Sequence, residues 1–487
     1  MDRLKSLYFC LSPSEKKAIR NYLEAFHQKG ENKSLEFLKL LDHQPDINHE
    51  SASQKLYADP RSKAFIMMKT RLSDRLTEFL TLSFNPEAGK RDRNASYHQD
   101  LIEYRKCMLY AASLQERQLY AIALEWLEKA RELAVKCNTP ELEVDTLIRM
   151  RGLDRSGNDK FEELSIQIQR ALKQQECDIN ATGLMRKFMT LNGGQIGGDE
   201  ARIAFLEAHL PALEESLRQV YSVRADYFVQ MMRVHLCYLT RRLDEGRDFA
   251  KKGLEILTHH EGIRSPLRMA DSLFQLGRLE LQGQAFADAW TSFEKARAFQ
   301  TEESRAYLST SIFMLYCLIH LQDLPKANQL IADIQTGPAL KAAGKNALIQ
   351  GLFTYLRACV KFGQGALKDA WMLVQDCQEF GLDKEAWLTA IRLFEIMILV
   401  DKNEPDIASQ KLESLRKHMS RYTPDARMKA CFKMLMAQER TGFAFGQIQD
   451  EANQLENLRT NLYWDPIGQE VIRFDEWYRA RRARKSK

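Results

Sequence analysis

The sequence is short of the residues that sheets and tight turns require. Of 487 residues only 23 are Gly and 12 are Pro, both below average usage of roughly 7% and 5%. Valine occurs ten times in the whole chain. Strands draw on β-branched residues and turns on Gly and Pro, so a large sandwich, a barrel or a doubly wound parallel sheet is excluded. Long apolar runs are also missing. The strongest, Glu395 to Val400, is closed by Asp401, Lys402 and Asn403, far short of the ~18 residues of a membrane span. Leu7 to Leu11 is too short for a signal-peptide core of ~7–15 residues. Charge of one sign is scarce: the net charge is +5 with 45% hydrophobic residues, which argues against disorder. The nine cysteines are scattered, no two closer than 18 residues, with no Cys-x-x-Cys. That spacing excludes a zinc ribbon and argues against a disulfide framework. Most sit inside apolar runs such as Tyr316-Cys317-Leu318, as small core residues do. The expectation is an all-α, cytoplasmic chain.

What is present is helical periodicity. Near the N-terminus, Ser12-Pro13-Ser14-Glu15 has the form of a capped helix start, followed by Ala18, Ile19, Tyr22, Leu23 and Phe26 at helical spacing. A second helix is predicted over 34–41, with Leu35, Leu38 and Leu41 on one stripe. Ser51-x-x-Gln54 predicts a short third helix, ended at Asp59-Pro60. A longer fourth runs over 62–83, carrying Phe65, Met68, Leu72, Leu76, Phe79 and Leu80. Pro86, Gly89 and alternating charges in 84–93 mark a domain boundary. The predicted organisation is an N-terminal helical bundle over 1–88, a repeat array over 89–460 and a C-terminal capping helix with a basic tail over 461–487. Between Lys55 and Arg75 stand six basic residues (Lys55, Arg61, Lys63, Lys69, Arg71, Arg75) against two acidic ones. Two readings are open: a structural or docking bundle, or a helix-turn-helix-like nucleic-acid reader with a basic stripe.

The remainder repeats one local pattern, a small residue, an apolar one four later and often a small one three further on. It occurs at Ala123…Leu127…Ala130, Gly246…Ala250…Gly253, Ala289…Phe293…Ala296, Ala327…Ile331…Ile334, Ala370…Val374…Cys377 and Ala408…Leu412…Leu415. The last five first positions are spaced 43, 38, 43 and 38 apart, and Asp288-Ala289-Trp290 recurs 81 residues later as Asp369-Ala370-Trp371. Small residues let a second helix approach the first, and the larger apolar residue one turn on fills the groove between hairpins. A period of ~40 residues holds two helices and two turns. One hairpin cannot bury its apolar face alone, so neighbours must stack.

Leu273, Leu276, Gly277, Ala289, Phe293 and Ala296 reproduce the tetratricopeptide spacing, with Glu280 standing where that pattern has a large residue and Leu281 beside it. Tyr110, Ala111, Leu114, Ala123, Leu127 and Ala130 form a looser match. Residues 95–460 therefore resemble a tetratricopeptide-like α-solenoid of helical hairpins, with a period longer than the family's 34 residues. The resemblance implies a concave groove lined by the first helix of each hairpin, which takes a peptide or partner protein and performs no catalysis. The groove residues it implies are Asp271, Phe274, Arg278 and Leu281, with Tyr227, Arg233 and Tyr316 as further candidates. For Phe274 and Leu281 the competing reading is core between repeats.

Chemistry motifs are missing. Asn192 to Asp199 is Gly-rich but lacks the Gly-Lys-Ser/Thr ending and a preceding strand, so it reads as a loop, with Asp199-Glu200 opening a helix. His259-His260-Glu261 falls at a helix end, where His is electrostatically ordinary. No His-Glu-x-x-His, nucleophile elbow or aspartate-rich calcium loop occurs. The expectation is no cofactor, no metal and no enzyme. From Arg473 to Lys487 there are seven basic and two acidic residues. Arg479, Arg481, Arg482, Arg484 and Lys485, with Lys63, Lys69, Arg71 and Arg75, are the candidate surface for nucleic acid or another polyanion. The alternative for the tail is a solvated helix end suited to the macrodipole. Tyr463-Trp464-Asp465-Pro466 and Phe474, Trp477 and Tyr478 read as an aromatic seal on the last repeat.

Overall fold

The computed structural model describes residues 2–9, 11, 13–25, 32–82, 95–155, 157–191, 198–342, 347–377, 384–421, 425–445 and 451–485. Among them there is no strand. The chain divides into two compact units, 1–99 and 100–487. Ser12, the predicted boundary over 84–93 and most of the Gly-rich loop lie outside the described residues.

The first unit is built from α1 (Asp2–Phe9), α2 (Pro13–Ala25), α3 (Lys33–His43), α4 (His49–Tyr57) and α5 (Lys63–Leu82). The periodicity of α2, α3 and α5 matches the sequence expectation. Helix α1 was not expected; it buries Leu4 and Tyr8 in the bundle core beside Leu72 and Leu76. The third predicted helix starts two residues earlier than Ser51, because the Asn48 side chain accepts from the Ser51 amide at 2.8 Å and caps it. Phe37 and Phe65 meet edge to face at 5.4 Å in the centre.

The second unit contains α6 (Ala95–Glu116, shared at its start with the first unit), α7 (Tyr120–Lys136), α8 (Pro140–Leu153), α9 (Asn158–Thr190) and α10 (Gly198–Gln219). Five regular hairpin steps follow. The first helices, row A, are α11 (Val223–Leu239), α13 (Pro266–Gln282), α15 (Arg305–His320), α18 (Ala347–Gly363) and α20 (Lys384–Asp401). The second helices, row B, are α12 (Leu243–His259), α14 (Phe286–Arg297), α16 (Leu324–Thr336), α19 (Leu367–Gln375) and α21 (Pro405–Met419), with short α17 (Pro338–Ala342) after α16. α22 (Ala426–Glu439), α23 (Glu451–Glu456), a π-helical turn (Asn457–Asn461) and α24 (Phe474–Lys485) end the chain. The array of helical hairpins expected from the sequence is thus present.

The backbone repeats with the sequence. Gln118, Arg241, Gln284, Gln322, Gly365 and Asn403 all have positive φ, and each stands five residues before a small residue of the repeat pattern. At each, the amide of the next residue closes back on the preceding helix, as Arg242 N to Cys237 O (2.8 Å), Ala285 N to Glu280 O (2.8 Å) and Glu404 N to Leu399 O (3.0 Å). This is the Schellman stop, which turns the chain into the B helix. The small residues then do what the pattern implied. Ala123, Ala289, Ala327, Ala370 and Ala408 are fully buried. A Cβ on Gly277 would stand 2.8 Å from the Phe293 ring, so only Gly admits that contact. Glu280 departs from the repeat pattern because Ser292 of α14 donates to its carboxylate at 2.6 Å.

Candidate functional site: the row A face and the C-terminal strap

The segment after the π-helical turn leaves helical structure over 462–473 and crosses row A as a strap. Tyr463 stacks on the Arg241 guanidinium at the end of α11, 3.6 Å from the ring centroid. At the end of α15, His320 Nε2 donates to the Pro466 carbonyl at 2.9 Å, and its ring meets Trp464 edge on at 5.1 Å. On α18, Tyr355 Oη donates to the Gln469 carbonyl at 2.9 Å. On α22, Arg427 donates to both Glu470 oxygens (2.5 and 2.8 Å), to Asp475 (2.8 Å), and to the carbonyls of Leu458 and Leu462. Asp401, ending α20, accepts from Trp477 Nε1 at 3.0 Å and from Arg481. Four first-row helices and α22 therefore each contribute a polar side chain, and three of these side chains bind main-chain carbonyls.

Clefts flank the strap. One of about 420 Å³ is lined by Phe286, His320, Phe362, Trp464, Arg473 and Trp477, among others. The other, of about 350 Å³, lies between Arg241, Arg427, Tyr463, Asp465 and Glu470. Burial sets the electrostatics. It pushes the Asp465 carboxyl above its ordinary range, against the pull of Arg241 and Arg278. Burial acts the same way on Asp475, but bonds from Arg473 and Arg427 outweigh it and hold that carboxyl below the usual range. His320 is pushed down to about 4, first by burial and further by Arg473, with the Pro466 bond opposing.

The sequence-derived groove residues separate into two groups. Leu281, Tyr227 and Tyr316 are at most 2% exposed and are packing, not groove: apolar side chains at these helical positions fill the space between hairpins. Tyr227 Oη is satisfied by Ser272 Oγ at 3.1 Å. Phe274 is half-buried against Phe293 (5.6 Å) and Phe313 (5.1 Å), so its ring belongs to the core between repeats. Arg233 is held by Glu214 (Nε to Oε1, 2.6 Å) and stands 4.9 Å over the Phe249 ring. Asp271 and Arg278 remain on the half-exposed face, Arg278 lying 3.9 Å over the Tyr238 ring.

The proposed polyanion surface is also divided. On α5, Lys63, Arg71 and Arg75 are exposed and Lys69 is half-buried beside His49. At 100° per residue, Asp74 and Glu78 fall among Lys63, Arg71 and Arg75 on one face, so the face is mixed rather than a single-signed stripe. In the tail, Arg479 and Arg481 of the candidate surface are engaged by carboxylates. Residues 474–485 are a helix fixed to the array, with Arg479 paired to Asp475 (3.0 Å) and Arg481 to Asp401. Arg482 is half-buried; the Arg484 and Lys485 side chains lie outside the described residues. Among the described residues, no group of three His, Cys, Asp or Glu could hold a metal ion. None of their helices is long and apolar enough to cross a membrane.

Sequence reasoning missed Arg241, His320, Tyr355 and Arg427. The available signal was polar residues at the ends of otherwise apolar A helices, facing a non-helical aromatic stretch with Pro466.

Fold and site together define a helical-hairpin array whose row A face holds a non-helical, turn-containing segment of its own chain. No known protein-family profile and no curated protein matches the sequence. Among solved structures, the apo form of RapI matches at TM-score 0.43 and 11% identity, over 69% of this chain and 86% of that chain.

Proposed function

We propose that this protein is a non-enzymatic interaction module in which the row A face docks a non-helical segment of a partner protein. One observation carries the reading: His320, Tyr355 and Arg427 bind main-chain carbonyls of a non-helical segment. Side chains that recognise backbone in this way accept a non-helical chain with little dependence on its sequence. Specificity then falls to the aromatic and acidic side chains that enter the clefts. In this structure the face is occupied in cis by 462–473, and the flanking clefts are the space left for a partner.

The test is site-specific photo-crosslinking of the full chain in its native cells. One crosslinker replaces Gln284, which is exposed and lines the larger cleft. The other replaces Lys295, exposed on the row B helix α14. A discrete protein adduct at position 284 and none at 295 is the expected result. An adduct at 295 alone, or nucleic acid in place of protein at either position, overturns the reading.

A further inference from the structure

The row A face continues past Tyr463 toward α9 and α10, and there two guanidinium groups surround a buried histidine. His235, on α11, is 4% exposed, and its Nε2 has no hydrogen-bond partner. Its ring lies 5.0 Å from that of Phe188, near the end of α9. The same Phe188 ring carries the guanidinium of Arg202 from α10, at 4.6 Å. One turn beyond His235, Tyr238 carries the guanidinium of Arg278 from α13, at 3.9 Å. The two arginines thus flank His235, and the Nε of each is buried without a partner.

The neighbouring acids meet this charge only in part. Asp199 stands 3.7 Å from Arg202 Nη1. Asp271 reaches Arg278 through Gln275, which accepts from Arg278 at 3.0 Å and lies 3.4 Å from the Asp271 carboxylate. Asp465 approaches Arg278 and Arg241 from the strap. None satisfies either Nε or the imidazole. Burial first, then both guanidiniums, pushes His235 down to about 3, so the ring is neutral and can offer an N–H at Nε2 without adding charge. Buried donors are normally satisfied, and guanidinium donors make their strongest bonds to oxyanions.

We propose that Arg202, His235 and Arg278 form a binding site for an oxyanion group, a phosphate or a carboxylate. The site goes beyond the docking reading and stands or falls separately from it, since a free anion would occupy it in the absence of any partner.

The experiment uses the full chain and two probes, inorganic phosphate and succinate, each titrated against chloride at constant ionic strength. The thermal midpoint is the readout. A saturable rise in at least one arm is expected, with half-saturation weakened roughly tenfold or more in Arg278→Gln and in Arg202→Gln. Both variants should keep wild-type helical content; Arg202→Gln provides the second test should Arg278→Gln fail to fold. Arg218→Gln, exposed at the far end of α10, should respond like wild type. Saturation with phosphate assigns a phosphate-binding site; saturation with succinate alone assigns a carboxylate site. No saturable response to either probe, or equal responses in wild type and both variants, overturns the proposal.

Discussion

His320 makes the strap sensitive to acid, and the size of the effect follows from its surroundings. Its folded pKa, pushed down to about 4 by burial and Arg473, lies below the ~6.5 of an unfolded histidine. A group depressed in this direction contributes stability that is complete above the unfolded value and is lost as pH falls toward the folded one. At about 1.4 kcal/mol per pH unit, lowering the pH from 7.5 to 5 removes about 2 kcal/mol. His320→Gln keeps an N–H for the Pro466 carbonyl and does not titrate. It loses ring contacts to Trp464 (5.1 Å) and Phe286 (4.8 Å), so at pH 7.5 it should be less stable than wild type by about 1–2 kcal/mol. At pH 5 that gap should close or reverse. His235 is present in both proteins, so its titration cancels from the difference. Urea unfolding of both proteins at the two pH values, followed by circular dichroism, measures the change in the gap. A gap that stays constant within about 0.5 kcal/mol would refute the buried neutral assignment of His320.

Arg427→Met should cost about 3–5 kcal/mol, because it strands buried Glu470 and leaves fully buried Asp475 with only Arg473 and Arg479; a urea midpoint unchanged from wild type contradicts the buried cluster. Trp464 and Trp477 emission should shift to the red in the same variant as the strap loosens. Gly277→Ala should cost about 1–3 kcal/mol with unchanged helical content, since the new methyl meets the buried Phe293 ring at 2.8 Å; a neutral substitution would mean that α13 and α14 can separate. Thiol labelling at pH 8 should be slow at the eight described cysteines, because seven are buried and Cys377 is half-buried, and burial pushes Cys137 and Cys177 up to about 11 and Cys377 up to about 12; rapid labelling of most of these thiols in the native protein would be incompatible with this packing.

The repeat was legible because its determinant is local. A small residue at Ala289 or Gly246 and a large apolar one a turn later are visible in one stretch of chain, and their spacing predicts the hairpin step. The same spacing reappears in positive-φ residues that sequence alone does not flag, because Arg241, Gln284 and Gln322 are side chains of no special turn propensity. There the Schellman hydrogen bonds override intrinsic preference. Groove residues were harder to read. Helix periodicity places Leu281 and Phe274 on a face but does not say whether the next hairpin covers that face. The strap was legible only as an aromatic seal on the last repeat, not as a segment that crosses row A. His320 and Pro466 are 146 residues apart and Tyr355 and Gln469 are 114 apart, so nothing in either neighbourhood announces the other.

A stack of hairpins in which each unit touches only its neighbours behaves as a one-dimensional chain: either end can fray and the middle can open independently. The strap changes that condition. It joins the α11 end of row A, through Arg241, to α22, through Arg427, and touches α15 and α18 between them, while Trp477 of the following α24 reaches α20. Opening any hairpin from α11 to α22 therefore strains contacts to the same short segment, which couples repeats that otherwise share no interface. The core reflects the coupling, because Val471, Phe474, Trp477 and Tyr478 pack in the same apolar cluster as Leu281, Phe293 and Tyr316. A partner segment that competes for His320 and Tyr355 would do more than fill a groove. On the proposed docking reading, displacing the strap would also remove this coupling between distant repeats.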